Sequence, residues 1–143
     1  MRRRFTFAFL AASLLCAASS LFSQTAETYG TRLSPVPIDA TMQSTVAGSG
    51  TVTATLQGNR LTVNGMFEGL RSPATVAHLH RASPGMQGPP ILDLNVTKAA
   101  DGAVSGSLDL NPAQIEDLRN GRIYVQIHSQ GAPDGNLRGW LLR

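Results

Sequence analysis

The stretch Ile123-Tyr124-Val125-Gln126-Ile127-His128 decides the fold class, because aliphatic and polar side chains alternate along its whole length. Successive side chains of a β-strand point to opposite faces, so such a stretch has one face for a core and one face directed away from it. The aliphatic face carries Ile123, Val125 and Ile127. The other face carries Tyr124, Gln126 and His128. The alternation predicts a strand whose aliphatic face packs inward.

Other short β-rich segments follow one another at intervals of roughly 8–12 residues, which is typical of an all-β domain. The predicted strands cover residues 29–33, 50–56, 61–67, 75–80, 91–96, 103–110, 122–129 and 136–142. Turns are predicted at 57–60, 101–102 and 131–135. The two prolines of Ser34-Pro35-Val36-Pro37 cannot donate ladder hydrogen bonds, so this segment is predicted as an edge or a loop.

One short helix interrupts the strands. Asn111 is a favourable N-cap, Pro112 suits the first helical position, and Asn120-Gly121 ends the segment. Asp117 is expected on the solvated face of this helix. The whole pattern predicts an all-β fold, an antiparallel Greek-key-like β-sandwich of seven or eight short strands with one short helix.

Residues 1–26 have the layout of a secretory signal peptide. Three arginines at 2–4 precede an apolar stretch at 5–18, and Ala18 and Ser20 suit the positions recognised by a signal peptidase. The mature chain is therefore expected to begin between Leu21 and Glu27. Residues 27–143 are predicted to form a single domain that is secreted or periplasmic.

Two alternatives to a cleaved leader remain open. An uncleaved membrane anchor would need an apolar run of about 20 residues, which is longer than the run found here. A lipoprotein could be formed through Cys16, but Leu15 stands where a small residue is preferred. We expect no stable membrane span once the leader is removed.

The net charge of +3 comes from the leader. Without its three arginines, nine basic residues balance nine acidic ones. A neutral net charge does not imply a basic surface for phosphates, so nucleic acid is not an expected partner. The single cysteine also lies in the leader, so the mature domain has no disulfide, thiolate ligand or cysteine nucleophile.

The three histidines of the chain form the candidate site. His78 and His80 are two residues apart in a predicted strand, so they share a face at a spacing of roughly 6.5–7 Å. His128 lies on the polar face of its own strand. If these strands are neighbours, three imidazoles converge outside the core, beneath the loop 81–90.

Three neutral imidazoles can bind Zn²⁺ or Cu²⁺ and leave one coordination position open. The alternative is that these histidines are surface polar residues, or are hydrogen-bonded to a loop carbonyl. No motif for a catalytic nucleophile or a phosphate-binding loop occurs, so neither catalytic nor cofactor-binding residues are predicted.

Together these segments resemble a CHRD domain, a module named after its copies in chordin and also found in bacterial exported proteins. The resemblance is carried by the motifs Ala-His-Leu-His at 77–80, Tyr-Val-Gln-Ile-His at 124–128 and Leu-Arg-Gly at 137–139. It covers about Leu33 to Leu142. The family often has Glu-Val-Pro-Pro where this chain has Ser34-Pro35-Val36-Pro37, so the edge strand is expected to differ. The resemblance implies a fold more than a biochemical role.

A second resemblance is architectural. Copper–zinc superoxide dismutases are β-sandwiches with a His-x-His strand and a third copper-binding histidine later in the chain. His78, His80 and His128 occur here in that order. The sequence lacks a further cluster for the zinc half and lacks a disulfide. The resemblance therefore implies a simple copper or zinc site rather than dismutase activity.

The preferred interpretation is an exported, non-enzymatic β-sandwich module. It would bind a metal ion or a protein partner through the histidine face and the loop 81–90. One alternative is a small copper or zinc enzyme with redox chemistry like that of superoxide dismutase. Another is a purely structural domain of the cell envelope, in which the histidines have no role.

Overall fold

The structure, a computed structural model, describes residues 25–143. It contains β1 (Glu27–Pro35), β2 (Ser49–Gln57), β3 (Arg60–Glu68), β4 (Ala74–Arg81), β5 (Pro90–Val96), β6 (Gly102–Asp109), α1 (Pro112–Arg119), β7 (Ile123–Ser129) and β8 (Ala132–Trp140). The all-β class with one short helix is confirmed. The predicted leader lies almost entirely outside the described residues, and Cys16 lies wholly outside them, so cleavage and export stay predictions.

The strands close into a barrel in the order β1-β2-β3-β6-β5-β4-β7-β8, and every neighbouring pair is antiparallel. The barrel consists of two sheets that share β1 and β5: one runs β1-β2-β3-β6-β5 and the other β5-β4-β7-β8-β1. The neighbours β3–β6 and β4–β7 are not consecutive in sequence, so the chain makes crossover connections between the two sheets. The prediction of a sandwich was wrong, because a sandwich would leave its two sheets unjoined at their edges.

β1 and β5 close the barrel, because each of them pairs with one strand from each sheet. β1 pairs with β2 over most of its length, and its last residues, Ser34 and Pro35, pair with Arg138 and Leu137 of β8. β5 likewise pairs with β4 and then with β6 through Asn95. Pro35 is tolerated because it ends its strand. The segment that begins at Ser34, which was expected to be an edge or a loop, therefore helps to join the two sheets.

The barrel interior is filled by aliphatic side chains, as the alternation predicted. Ile123, Val125 and Ile127 of β7 are fully buried in the main core. Leu118 anchors the helix to the same core. The helix begins with a capping box, in which the Asn111 side chain accepts from the backbone N–H of Gln114 and the Gln114 side chain accepts from the backbone N–H of Asn111.

Two local predictions were wrong. Asp117 is buried rather than solvated, and its carboxylate lies 2.8 Å from the Arg81 guanidinium and 3.8 Å from that of Arg122. These partners offset the cost of burying the charge. Near the C-terminus, β8 begins at Ala132 rather than at Asn136.

The early start of β8 reflects a bulge. Ile127 pairs with Leu137, whereas Ser129 pairs with Ala132, so β8 carries extra residues opposite this part of β7. Pro133 lies in the bulge, where a residue need not donate to the ladder. The bulge lies beside His128, and its carbonyl groups turn toward β7.

Within residues 25–143, no helix has the length and apolar character that crossing a membrane would require.

Val125 provides a test of the inward-facing surface. We expect Val125→Asp to lower the free energy of unfolding by several kcal/mol, because an unpaired carboxylate would enter the barrel core. The matched control is Val76→Asp, since Val76 is 43% exposed on the neighbouring strand. Urea denaturation of both variants measures the difference. Equal stabilities would contradict the assignment of the faces.

Candidate metal centre

The structure brings the three histidines together on one wall of the barrel. β4 and β7 are neighbours, and His80 lies opposite Tyr124 while His78 lies opposite Gln126. The ring centroids are 5.7 Å apart for His78–His80, 5.3 Å for His78–His128 and 6.0 Å for His80–His128. One nitrogen of each ring lies within 4.8 Å of the other two. Within residues 25–143, no other group of three potential metal-ligating side chains forms.

Backbone carbonyls fix the orientation of two of the rings. His80 Nδ1 lies 2.9 Å from the Gly88 carbonyl oxygen, and His128 Nδ1 lies 2.8 Å from the Pro133 carbonyl oxygen. A peptide carbonyl only accepts hydrogen bonds, so each Nδ1 must be the protonated nitrogen and donate. In a neutral imidazole the other nitrogen then carries a lone pair. Both rings therefore present an unprotonated Nε2.

His78 is oriented differently, by a carboxylate. Asp93 of β5 pairs directly with His78, and its Oδ1 lies 3.5 Å from His78 Nε2. The negative charge of this carboxylate favours the tautomer with the proton on Nε2, which leaves the lone pair on Nδ1. Histidines that bind metals commonly have their second nitrogen directed to a carboxylate or a backbone carbonyl. All three rings show that arrangement.

The remaining nitrogen of each ring is buried. His78 Nδ1, His80 Nε2 and His128 Nε2 have no hydrogen-bond partner among the described residues. Leaving a buried polar atom unpaired costs about 1–3 kcal/mol. Three such atoms facing one another would all be satisfied by a single cation placed between them.

Burial also favours the neutral form of the imidazoles. Burial lowers the pKa of His80, while its bond to the Gly88 carbonyl acts in the opposite direction and the other two histidines lower it further. Burial likewise lowers the pKa of His128, against the opposing effect of the Pro133 carbonyl. A metal ligand must be deprotonated, so both shifts prepare these rings to bind a cation.

Two glycines let the carbonyl-bearing segments approach the strands. A Cβ on Gly88 would lie 1.8 Å from the Arg81 carbonyl oxygen. A Cβ on Gly135, which has φ +133°, would lie 2.0 Å from Gln126 Nε2. That same Gln126 Nε2 donates to the Asp134 carbonyl at 2.9 Å. A larger residue at 88 would push its segment away from the Arg81 backbone, and a larger residue at 135 would strain the backbone at positive φ and displace the Gln126 amide.

The outer face of this wall is covered rather than exposed. His80 is only 6% exposed, because its ring stacks on Tyr124 at a centroid distance of 4.9 Å. Tyr124 and Gln126 are also buried, although they point away from the main core. The histidines thus lie outside the main core, and His80 lies beneath the loop 81–90, both as expected.

The sequence predicted the three rings, and a hydrogen bond to a loop carbonyl was one of the stated alternatives for them, but neither Asp93 nor the particular carbonyls were predicted as partners. The side chain of Asp93 is exposed, like that of an ordinary surface carboxylate. Its role could have been found from the hairpin, because strands joined through the loop 81–90 place Asp93 near His78. The Gly88 and Pro133 carbonyls are backbone groups, which carry no signal of their own in the sequence.

The residues fit a first-row metal ion. Three imidazole nitrogens suit copper or zinc, with metal–nitrogen bonds of about 2.0–2.1 Å. Tetrahedral bonds of that length put ligand atoms about 3.3 Å apart. The nitrogens lie within 4.8 Å of one another, so binding requires small ring rotations that bring them closer.

The stability of the metal-free protein should depend on pH through these rings. His80 and His128 have a lower pKa in the fold than the value of about 6.5 expected for the unfolded chain. The unfolded chain therefore binds more protons, and stability falls as the pH drops below about 6.5. We expect urea midpoints to decrease between about pH 7 and pH 5, and to decrease less in His80→Gln.

A second titration lies in a separate pH window. Hydrogen bonds from Arg119 and Tyr29 lower the pKa of Glu27 from 4.5 to about 2. Its contribution to stability is therefore lost only below about pH 4.5.

The Glu27 titration therefore does not contribute between about pH 7 and pH 5. A wild-type protein whose stability is constant in this window would contradict the burial of the neutral imidazoles.

Comparison with known protein families agrees with this architecture. The family model described as CHRD domain matches residues 29–141, which include all eight strands except the first two residues of β1. Comparisons with curated proteins and with solved structures give no match. Since the family model covers well over half of the chain, the chain belongs to the CHRD domain family.

Proposed function

We propose that this chain is an exported CHRD binding module whose three-histidine centre holds one copper or zinc ion. The observation that carries the proposal is the set of three buried nitrogens without a hydrogen-bond partner, on rings that each bring one nitrogen within 4.8 Å of the other two. Each ring has its second nitrogen directed to a carbonyl or a carboxylate. Histidines that lay together on the surface by chance would have no reason to show either feature.

Copper is the preferred ion of the two. Sites built from nitrogen ligands bind Cu²⁺ more tightly than Zn²⁺ when both ions are equally available. Among the described residues no thiolate joins the cluster, so sulfur-rich centres are not supported. When bound, copper would supply one-electron redox chemistry, whereas zinc would supply a Lewis acid.

Burial of the ligand atoms favours holding an ion over processing a large substrate. The three nitrogens have almost no solvent contact. Tyr124 and the segment 82–90 cover His80, whereas His78 and His128 are each partly exposed. This enclosure supports a binding module, while an enzyme would need a route for its substrate to the fourth coordination position.

Export is part of the same proposal and depends on the predicted leader at residues 1–26. In an exported compartment the protein would meet metal ions without competition from cytosolic thiols. The balanced charge of the mature chain supports a metal ion or a protein as the partner, and does not support nucleic acid.

The first test is metal stoichiometry. We expect protein purified without an affinity tag to bind one Cu²⁺ or Zn²⁺ per chain in calorimetry at neutral pH. His78→Ala, His80→Ala and His128→Ala should each lose most of the affinity, because two imidazoles hold a metal far less well than three. Asn64→Ala, an exposed position on β3, serves as the control and should bind like the wild type.

Absence of saturable binding at neutral pH would contradict the proposal and favour a purely structural domain. If copper binds and the loaded protein then consumes superoxide catalytically, the enzyme alternative replaces the binding module. In either case the result is read against the three alanine variants, since a site elsewhere on the surface would survive all of them.

Asp93 provides a second test, because it contacts only the far nitrogen of His78. We expect Asp93→Asn to weaken metal affinity by about tenfold through loss of the carboxylate that orients the ring. The control is Asp109→Asn, whose carboxylate pairs with Arg60 at 3.0 Å instead of with a histidine. Calorimetry at neutral pH measures both. Equal affinities in the two variants would show that Asp93 does not orient His78.

A further inference from the structure

A row of aromatic rings leads from the histidine centre toward the surface across three neighbouring strands. His80 of β4 pairs directly with Tyr124 of β7, and Tyr124 pairs directly with Trp140 of β8. The first two rings stack at 4.9 Å with an interplanar angle of 18°, and Tyr124 and Trp140 lie 4.8 Å apart. Tyr124 is buried, whereas Trp140 is partly exposed. The row therefore has one end at a ligand and the other at solvent.

A groove of about 390 Å³ lies at the outer end of this row. It is lined by Arg32, Arg138, Trp140 and the rigid prolines Pro35, Pro37 and Pro84. The Arg138 guanidinium lies 5.0 Å from the centre of the Trp140 ring. No carboxylate lines the groove among the described residues. Two guanidinium groups and an aromatic surface suit a small anion with a planar, unsaturated part.

We propose that this groove binds a small anionic one-electron reductant, and that the Trp140–Tyr124–His80 row carries the electron to copper held by the three histidines. The inference rests on the proposed function, because it requires copper at the centre. Its chemical class is that of an ene-diol anion, for which ascorbate is the probe.

The electron count is simple. The ascorbate monoanion loses one electron and one proton, and leaves the groove as the ascorbyl radical anion. The proton passes to solvent, and the electron reduces copper(II) to copper(I). Trp140 and Tyr124 provide electronic coupling through their adjacent rings and are neither oxidised nor reduced in the net reaction. Trp140 lies about 10 Å from His80, since two strand spacings separate them.

The burial of the ligand atoms explains why an indirect path is needed. His80 and Tyr124 are covered by the segment 82–90, and Trp140 helps to fix this segment by donating its indole N–H to the Ala82 carbonyl at 3.0 Å. The competing path is direct contact at His78 or His128, the two partly exposed rings. The charge of the reductant distinguishes the two paths, because Arg32 and Arg138 attract anions only to the groove.

The test is the rate of copper(II) reduction in the copper-loaded protein, followed by stopped-flow absorbance with excess ascorbate. We expect Trp140→Leu to lose most of the second-order rate constant and Trp140→Phe to retain most of it. Arg32→Gln should lower the rate with ascorbate by about threefold and raise it with the cationic reductant hexaammineruthenium(II). Arg60→Gln, an arginine of β3 that does not line the groove, is the matched control and should change neither rate beyond a general charge effect.

A second readout does not involve copper. Trp140 is the only tryptophan of the chain, so its indole N–H gives one resonance in the metal-free protein. Titration with ascorbate should shift this resonance to saturation in the wild type, and Arg32→Gln should weaken the titration. An unshifted resonance would overturn the groove assignment, whether or not copper binds.

The outcomes separate this inference from the proposed function. If the wild-type protein binds no copper, the three-histidine centre itself is refuted. One copper per chain with equal reduction rates in the wild type and Trp140→Leu would leave the metal centre intact and overturn the aromatic row. In that case reduction would proceed by direct contact at His78 or His128.

Discussion

Two hydrogen bonds from histidine rings to peptide carbonyls organise the functional side of this barrel. The Gly88 carbonyl binds Nδ1 of His80, and the Pro133 carbonyl binds Nδ1 of His128. Each bond selects one tautomer, and that choice directs a lone pair toward the common point. Without these bonds the rings would be close together, but their nitrogens would have no fixed orientation.

The carbonyls reach the rings because of how the chain is arranged around β4 and β7. One arrives on the connection between β4 and β5, where Gly88 packs directly on the Arg81 backbone. The other arrives on the bulge of β8, where Gly135 lies against Gln126. Barrel closure holds β5, β4, β7 and β8 side by side. The wall is therefore rigid enough to keep three unpaired nitrogens buried, which costs stability unless an ion satisfies them.

The sequence alone predicts which side chains lie on each face of this wall better than it predicts which strands pair. Alternation in the segment 123–128 was sufficient to place Val125 in the core and His128 away from it. The two-residue spacing of His78 and His80 was sufficient to put them on one face. Closure of the barrel could not be predicted, because it depends on β1 and β5 each pairing with one strand from each sheet. Pairing partners are a tertiary property, and local periodicity does not encode them.

The orienting groups were hidden for a related reason. A carbonyl oxygen is present at every residue, so nothing in the sequence marks those of Gly88 and Pro133. The burial of Asp117 was hidden because it depends on Arg81 and Arg122, which reach it from other elements. The most direct test of the central claim is long-range ¹H–¹⁵N NMR of the three imidazoles, before and after one equivalent of Zn²⁺. The account predicts Nδ1–H tautomers for His80 and His128, an Nε2–H tautomer for His78, and a zinc-induced shift of the three unprotonated nitrogens only. An Nε2–H tautomer at His80 or His128, or a zinc shift confined to two rings, would contradict it.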